Sequence, residues 1–396
     1  MKVLVCHNFY TRPGGEDRVY ADETALLETH GHAVTRFERH NDAIADMGRA
    51  RLVTDTFWSR ETERALDGLI RAERPDVMHC HNTFPLISPS AYAAAKAHGV
   101  AVVQTLHNYR LVCPKAELMR EGRVCEKCLG RTFAAPAIRH ACYRGSRSAT
   151  ATLAAMLAWH RARGTLEHVD RFIVPTVFVK AKMVEGGLAP ERITPKPNFV
   201  SGTPEPGEGA KGGRKGVVFV GRLSPEKGVN VLLDAWSRLK SDVELRILGD
   251  GPLAPDVAAA AERDRRIVPL GHRDRDAVMD EIGAASLLVM PSVWYETFGL
   301  CIVEAYAKGT PVIASDLGAM AELVDETTGR RVPPGDAGVL ARTVDDLLSA
   351  PEQLAAMRRA ARARYEASYS AEANYPLLAG VYAEAMERAA ATSTFR

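Results

Sequence analysis

Short apolar, β-branched runs alternate along this chain with longer stretches whose apolar residues recur every three or four positions. In the first half the runs fall at residues 2–6, 33–38, 77–80, 101–106 and 171–175, with helical periodicity over 17–29, 59–74, 90–98, 148–164 and 177–185. Such alternation predicts a parallel sheet covered by helices. Residues 111–147 follow neither period and read as an insertion. The stretch SGTPEPGEGAKGGRKG, 201–216, carries no repeating apolar face and reads as a linker. The alternation then restarts, with strands at 217–221, 244–249, 266–271, 287–291 and 311–315 and helices at 228–239, 274–284, 298–308 and 337–348. A helical tail runs from about 351 to 392. The pattern predicts an α/β chain of two doubly wound, Rossmann-like domains, 1–200 and 201–371, the last helix (about 372–396) returning to the first. Open sheets of this kind bind ligands at the carboxyl ends of their strands, so the unusual residues should gather there.

Length and composition narrow this picture only slightly. The 396 residues suit two cores rather than one, and a formal net charge of +2 gives no reason to expect nucleic-acid binding. No apolar run approaches the ~18–20 residues of a membrane span, and Met1-Lys2 leads directly into an apolar strand instead of a secretory leader. A cytoplasmic enzyme is the expectation.

Two segments in the second half carry chemistry. In GRLSPEKG, Arg222 leaves a strand end and Lys227 precedes a helix near Gly228. Two cations beside helix N-terminal amides suit a diphosphate, although a solvated basic turn would look the same. In PSVWYETFGLCIVEA, Glu296 lies in the loop after a strand, Phe298, Gly299 and Leu300 open a helix, and Glu304 falls within it. Carboxylates accept several hydrogen bonds in fixed geometry, as sugar hydroxyls require. The alternative makes Glu296 a helix cap and Glu304 a surface residue.

GRLSPEKG and ETFGLCIVEA, with Glu296 and Glu304 eight positions apart, resemble the retaining glycosyltransferases of family GT4, which have the GT-B fold of two domains facing a central cleft. ILGDGPL (247–253), PVIASDLGAMAELV (311–324) and GRRVPPGD (329–336) follow in the family's order. The resemblance implies a retaining enzyme that moves a hexosyl-type sugar from a nucleotide-diphosphate donor to a hydroxyl of a glycan, glycolipid or small molecule, in bacterial cell-surface polysaccharide assembly. Uracil is the commoner base in the family and guanine the second. By the same resemblance Arg222 and Lys227 hold the diphosphate, Glu304 the ribose, and Glu296 a hydroxyl of the moving sugar. The Phe298–Leu300 backbone lines the donor pocket, and Gly249 and Arg273 lie near the base. Gly14 and Gly15 match a glycine-rich loop whose amides approach the donor phosphate, and His107 matches a strand-end histidine beside the sugar ring. His81 is assigned to the acceptor, with His79 expected on the opposite side of its strand. No cofactor is required for the transfer. Two other readings stay open: a nucleotide-sugar epimerase on the same scaffold, and a non-catalytic nucleotide-sugar-binding subunit.

Cys113, Cys125, Cys128 and Cys142 fall within thirty residues, and the Cys-x2-Cys at their centre has the spacing of a structural zinc site. Four reduced thiols in a loop-rich insertion are the alternative. Residues 131–171 are rich in arginine, with Leu153, Met156, Leu157 and Trp159 among them. This segment reads either as a surface for peripheral contact with the inner membrane near a lipid-linked acceptor or as a packed helix with a basic face.

Overall fold

A computed structural model describes residues 1–11, 14–207 and 215–393. Part of the expected linker, 208–214, and the end of the expected last helix, 394–396, lie outside the described residues. The chain divides into two compact units. One comprises Met1–Leu118, Glu126–Pro197 and Asn374–Arg396, and the other Met119–Cys125 and Asn198–Ala373.

The first unit is built on a six-stranded sheet whose paired strands are all parallel. Its strands are β1 (Lys2–Phe9), β2 (Ala33–His40), β3 (Val77–Asn82) and β4 (Ala101–Thr105), followed after the short hairpin β5 (Met119–Arg120) and β6 (Arg123–Val124) by β7 (Arg171–Val174) and β8 (Ile193–Pro195). The spatial order is β2-β1-β3-β4-β7-β8. Chain direction across the sheet reverses between β1 and β3, which makes the carboxyl ends of these two strands the switch point where open sheets hold ligands. Val3, Val5, Val77, Val103 and Ile173 pack in one cluster with Leu378, Val381, Tyr382 and Ala385 of the C-terminal helix Ala371–Ser393. The basic segment contributes the helix Arg147–Ala162, capped by Ser146, with Leu153, Ala154, Met156 and His160 buried. Arg161 donates to the carbonyls of Arg131 and Leu111 at 2.7 and 2.9 Å. The apolar side of this helix is thus packed within its own unit. No described helix is long and apolar enough to cross a membrane.

The second unit repeats the plan with β9 (Val217–Val220), β10 (Leu245–Leu248), β11 (Ile267–Gly271), β12 (Leu287–Met290), β13 (Val312–Ser315) and β14 (Gly329–Val332). Their order, β11-β10-β9-β12-β13-β14, puts the switch point between β9 and β12. Those are the two strands that precede GRLSPEKG and PSVWYETFGL. Trp236, Leu232 and Val229 of the helix Val229–Arg238 fill the core on one side, and Ile302, Tyr306 and Phe298 belong to a second core cluster. Asp274 accepts the Ala277 N–H at 2.9 Å and caps the helix Arg275–Ala284.

Candidate functional site

Around the β9/β12 switch point, two glycines let backbone approach backbone. Gly228 has φ 73°, and a Cβ there would stand 1.9 Å from the Pro291 carbonyl oxygen. Gly249 has φ 143°, and a Cβ there would stand 1.9 Å from the Gly221 carbonyl oxygen. Larger residues are sterically excluded from both positions. This contact presses the loop after β9 onto the end of β12 and brings Lys227 to Glu296, Nζ to Oε1 at 2.7 Å. Ser292 donates to the same carboxylate oxygen at 2.8 Å, and the Lys227 ammonium lies 5.4 Å from the Trp294 ring centroid. Burial lowers the pKa of Lys227, but the Glu296 carboxylate outweighs it, so the net shift is upward and the ammonium stays charged. Glu304 is buried in the helix Leu300–Ala307, which begins at Gly299. The Cys301 thiol is pushed up to about 12 by burial and by Glu304 and Glu296, and is drawn down by Lys227. All four groups therefore share one electrostatic neighbourhood. Arg222 is exposed just beyond β9, and Arg273 is exposed in the turn after β11. The Phe298 ring is buried against Tyr369, 6.1 Å between centroids, which leaves only its backbone to face a ligand.

The first unit holds a second polar centre, marked by a signal the motif reading passed over. The dipeptide His-Asn occurs four times, at 7–8, 40–41, 81–82 and 107–108. Each copy stands at or just past the end of one of the strands β1 to β4, so the sheet lines them up in the order His40, His7, His81, His107. Asn8 donates to Asn41 at 2.8 Å, and Asn82 donates to the Asn8 carbonyl at 2.7 Å. Glu16 receives Asn82 and Asn108 on its two oxygens, each at 3.4 Å. His81 and His107 stack, 5.3 Å between centroids, and share a hydrogen bond of 3.1 Å. His107 is driven down to about 3 by burial, then by His7, His79 and Lys196, so it is a neutral imidazole at pH 7.

His79 is not opposite His81. Residues two apart in a strand share a face; the rings lie 4.4 Å apart and both approach Glu23, at 3.9 and 3.4 Å. His79 bonds Tyr382 and Thr105 at 2.9 and 2.8 Å and is a buried structural member of the network. Glu23 is paired in turn with Lys196 at 2.6 Å, both essentially inaccessible. Neither residue was singled out from sequence, because each sits in an otherwise ordinary helix or loop with nothing to mark its partner.

Among the described residues, Glu23, His79 and His81 are the one group of three or more ligating side chains close enough to share an ion. Lys196 already supplies the positive charge there, so the donor set does not fit a metal. Cys113, Cys125, Cys128 and Cys142 form no disulfide. Cys113 is buried in the turn after Tyr109, and Cys128 and Cys142 pack on Ala134, Ala137 and Ala154. Cys125 belongs with the second unit.

Gly14 begins the helix Gly15–Thr29 in extended conformation, and its N–H is taken by the Asp17 carboxylate at 2.7 Å. Asp17 also bonds the buried His7 at 2.7 Å. The pair of glycines thus starts a capped helix at the first switch point.

Two parallel switch-point sheets in sequence, the second with an ammonium–carboxylate pair at its crevice, define a class: the GT-B glycosyltransferase architecture. Comparison with known proteins agrees. Residues 7–198 match the glycosyl transferase 4-like domain and residues 214–350 match the glycosyl transferases group 1 domain, so the chain carries both. Over 176 residues, 42% of this chain and 45% of the relative, it is 34% identical to an alpha-D-kanosaminyltransferase of Streptomyces kanamyceticus. Over 154 residues, 37% of this chain and 34% of the relative, it is 41% identical to a D-inositol 3-phosphate glycosyltransferase of a Mycobacterium species. These matches span less than half the length of either relative. Among solved structures, Anabaena HepE in complex with UDP aligns over 97% of this chain and 100% of its own with a TM-score of 0.67 at 18% identity. The sucrose-phosphate synthase of Thermosynechococcus elongatus aligns over 97% and 98% with a TM-score of 0.69, also at 18% identity. At such identities these two likenesses concern the fold.

Proposed function

We propose that the protein is a retaining glycosyltransferase that takes a hexosyl-type sugar from a nucleotide diphosphate, UDP before GDP, and transfers it to a hydroxyl acceptor in the assembly of a cell-surface glycan. The observation that carries this reading is the Lys227–Glu296 pair, 2.7 Å apart at the β9/β12 switch point. In this reading Arg222 and Lys227 receive the diphosphate, and the amides at the start of the helix Leu300–Ala307 add positive potential. As the anomeric bond breaks, negative charge grows on the departing phosphate, and these fixed donors stabilise it more than they stabilise the bound donor. Glu296 orients Lys227 and accepts a hydroxyl of the moving sugar, and Glu304 takes the ribose. Gly249 and Arg273 stand at the strand ends assigned to the base. The neutral imidazole of His107 suits a hydrogen bond to an uncharged sugar hydroxyl, and His81, stacked on it, fixes its orientation. With no side-chain nucleophile assigned, the leaving phosphate itself takes the acceptor proton. The UDP complex of HepE supports a nucleotide-sugar donor, and the inositol phosphate in one relative's name supports a hydroxyl acceptor.

Incubation with a panel of UDP- and GDP-sugars, reading released nucleoside diphosphate, tests this. At least one donor should be turned over, and Lys227→Ala should cut the rate about 10–100-fold, the loss of one charge-assisted contact. Wild-type turnover by the variant would refute the assignment. Epimerised donor, or tight donor binding without turnover, would replace transfer by one of the other two activities.

A further inference from the structure

The first unit contains a pocket that extends from His107 to residues the donor chemistry does not use. Its lining includes the strand-end groups Asn82, His107, Asn108 and Arg110, His160 of the helix Arg147–Ala162, and an apolar floor of Met156, Leu157, Leu111 and Leu166. His160 is the unusual member. It is 4% exposed, and neither ring nitrogen has a hydrogen-bond partner; the Phe57 backbone is near but out of bonding geometry. Trp159 packs edge-on against its ring at 4.7 Å. A neutral imidazole holds one donor and one acceptor side by side, and leaving both unmet inside a protein is costly. Arg110 adds another buried nitrogen without a partner, its Nε, on a guanidinium stacked 4.1 Å over the Phe84 ring.

These features select a ligand type. The floor is apolar, the unmet atoms are the two ring nitrogens of His160 and Nε of Arg110, and Arg110 also donates to the Pro114 carbonyl at 3.2 Å. Arg161 spends its donors on backbone carbonyls. An ionised phosphate or carboxylate chiefly accepts hydrogen bonds and would leave the acceptor nitrogen of His160 unmet. A hydroxyl, by contrast, both donates and accepts, and matches His160.

We infer that this pocket binds the acceptor as an amphiphile: an uncharged glycoside whose alkyl or aryl portion lies on Leu157, Met156 and Leu111, while a hydroxyl meets His160. Because the pocket is also lined by His107, the reacting hydroxyl of the same molecule is presented beside that imidazole. The acceptor role rests on the transferase reading; glycoside binding by the pocket does not.

Isothermal titration of the full chain with hexyl β-D-glucoside and with methyl β-D-glucoside tests the pocket directly. The hexyl compound should bind at least tenfold more tightly. Leu157→Trp, which fills the floor, should reduce that preference to threefold or less. His160→Leu should weaken both glycosides about tenfold, and His160→Gln should restore most of the loss. Amide-exchange protection of β3 and β4, equal to that of wild type, reports that the first unit of each variant is folded. Equal affinity for the two glycosides, or a preference that survives Leu157→Trp, overturns the inference. If nucleotide sugars are consumed and the glycosides are not bound, the inference fails and the transferase reading stands. If the glycosides bind as expected and no nucleotide sugar is consumed, the pocket stands and the transferase reading fails.

Discussion

Glu16 shows how one side chain can tie two strand ends together and still titrate. It stands in the first turn of the helix Gly15–Thr29 and joins the ends of β3 and β4 through Asn82 and Asn108. Burial first, and the neighbouring Asp17 second, raise its carboxyl from 4.5 to about 7, against the pull of Arg110, Asn108 and Tyr10. A raised acid is protonated more readily folded than unfolded. Its contribution to stability is therefore full below about 4.5 and is lost as pH rises through about 7. Glu16→Gln should be pH-insensitive at this position. The melting midpoint of wild type relative to the variant should fall steadily from about pH 5 to 8, and a constant difference would contradict the account. The sequence offered Gly14-Gly15 at this corner as a phosphate loop. What it could not offer was the partner list of Glu16, because Asn82, Asn108 and Arg110 are distant in the chain and join it only when the strands align. The four His-Asn pairs were readable in advance, and they mark the ends of β1 to β4 more sharply than apolar periodicity does.

At the scale of elements, the C-terminal helix Ala371–Ser393 is the most exacting. It closes the sheet of the first unit with Leu378, Val381, Tyr382, Ala385 and Ala389 and contributes Asn374 to Lys196 at 2.8 Å and Tyr382 to His79 at 2.9 Å. Burying each large apolar side chain is worth ~1.5–3 kcal/mol, and a buried Glu23–Lys196 pair deprived of its surroundings becomes a liability. A chain ending at residue 370 should therefore lose the cooperative folding of the first unit and show fast amide exchange in β1, β3 and β4, while β9 and β12 stay protected. Protection of β1 and β3 equal to wild type would contradict the packing. The helix itself was legible as a long periodic tail. Elements with weak patterns were not: β14 reads Gly-Arg-Arg-Val, two charges in four residues, and β8 ends in a proline. Each is recognisable only from its neighbour, since Gly329 lies so close to Val312 that a Cβ would stand 1.8 Å from that carbonyl oxygen. The hairpin β5–β6 belonged to a stretch without period and left no signal of its own.

Across the whole molecule, two sheets of different strand order share one principle. In each, the switch point coincides with the densest polar chemistry: Lys227, Ser292 and Glu296 between β9 and β12, and Tyr10, Glu16 and Asn82 around β1 and β3. The meeting of Lys227 with Glu296 was legible because GRLSPEKG and ETFGLCIVEA are compact segments that follow two strands, here adjacent in the sheet. The other polar centre was only half legible, since its members are scattered over a hundred residues and its apolar floor comes from a helix that also reads as a basic surface. The spacing of the cysteines has metal arithmetic, while in the fold Cys128 and Cys142 pack on the small alanines Ala134, Ala137 and Ala154.

The central claim is that the second unit grips a nucleotide by its paired phosphates, and titration with UDP and UMP tests it most directly. UDP should bind at least ~10-fold more tightly than UMP, with that preference lost in both Arg222→Ala and Lys227→Ala. Equal affinity for the two nucleotides, or a preference untouched by either substitution, would contradict it.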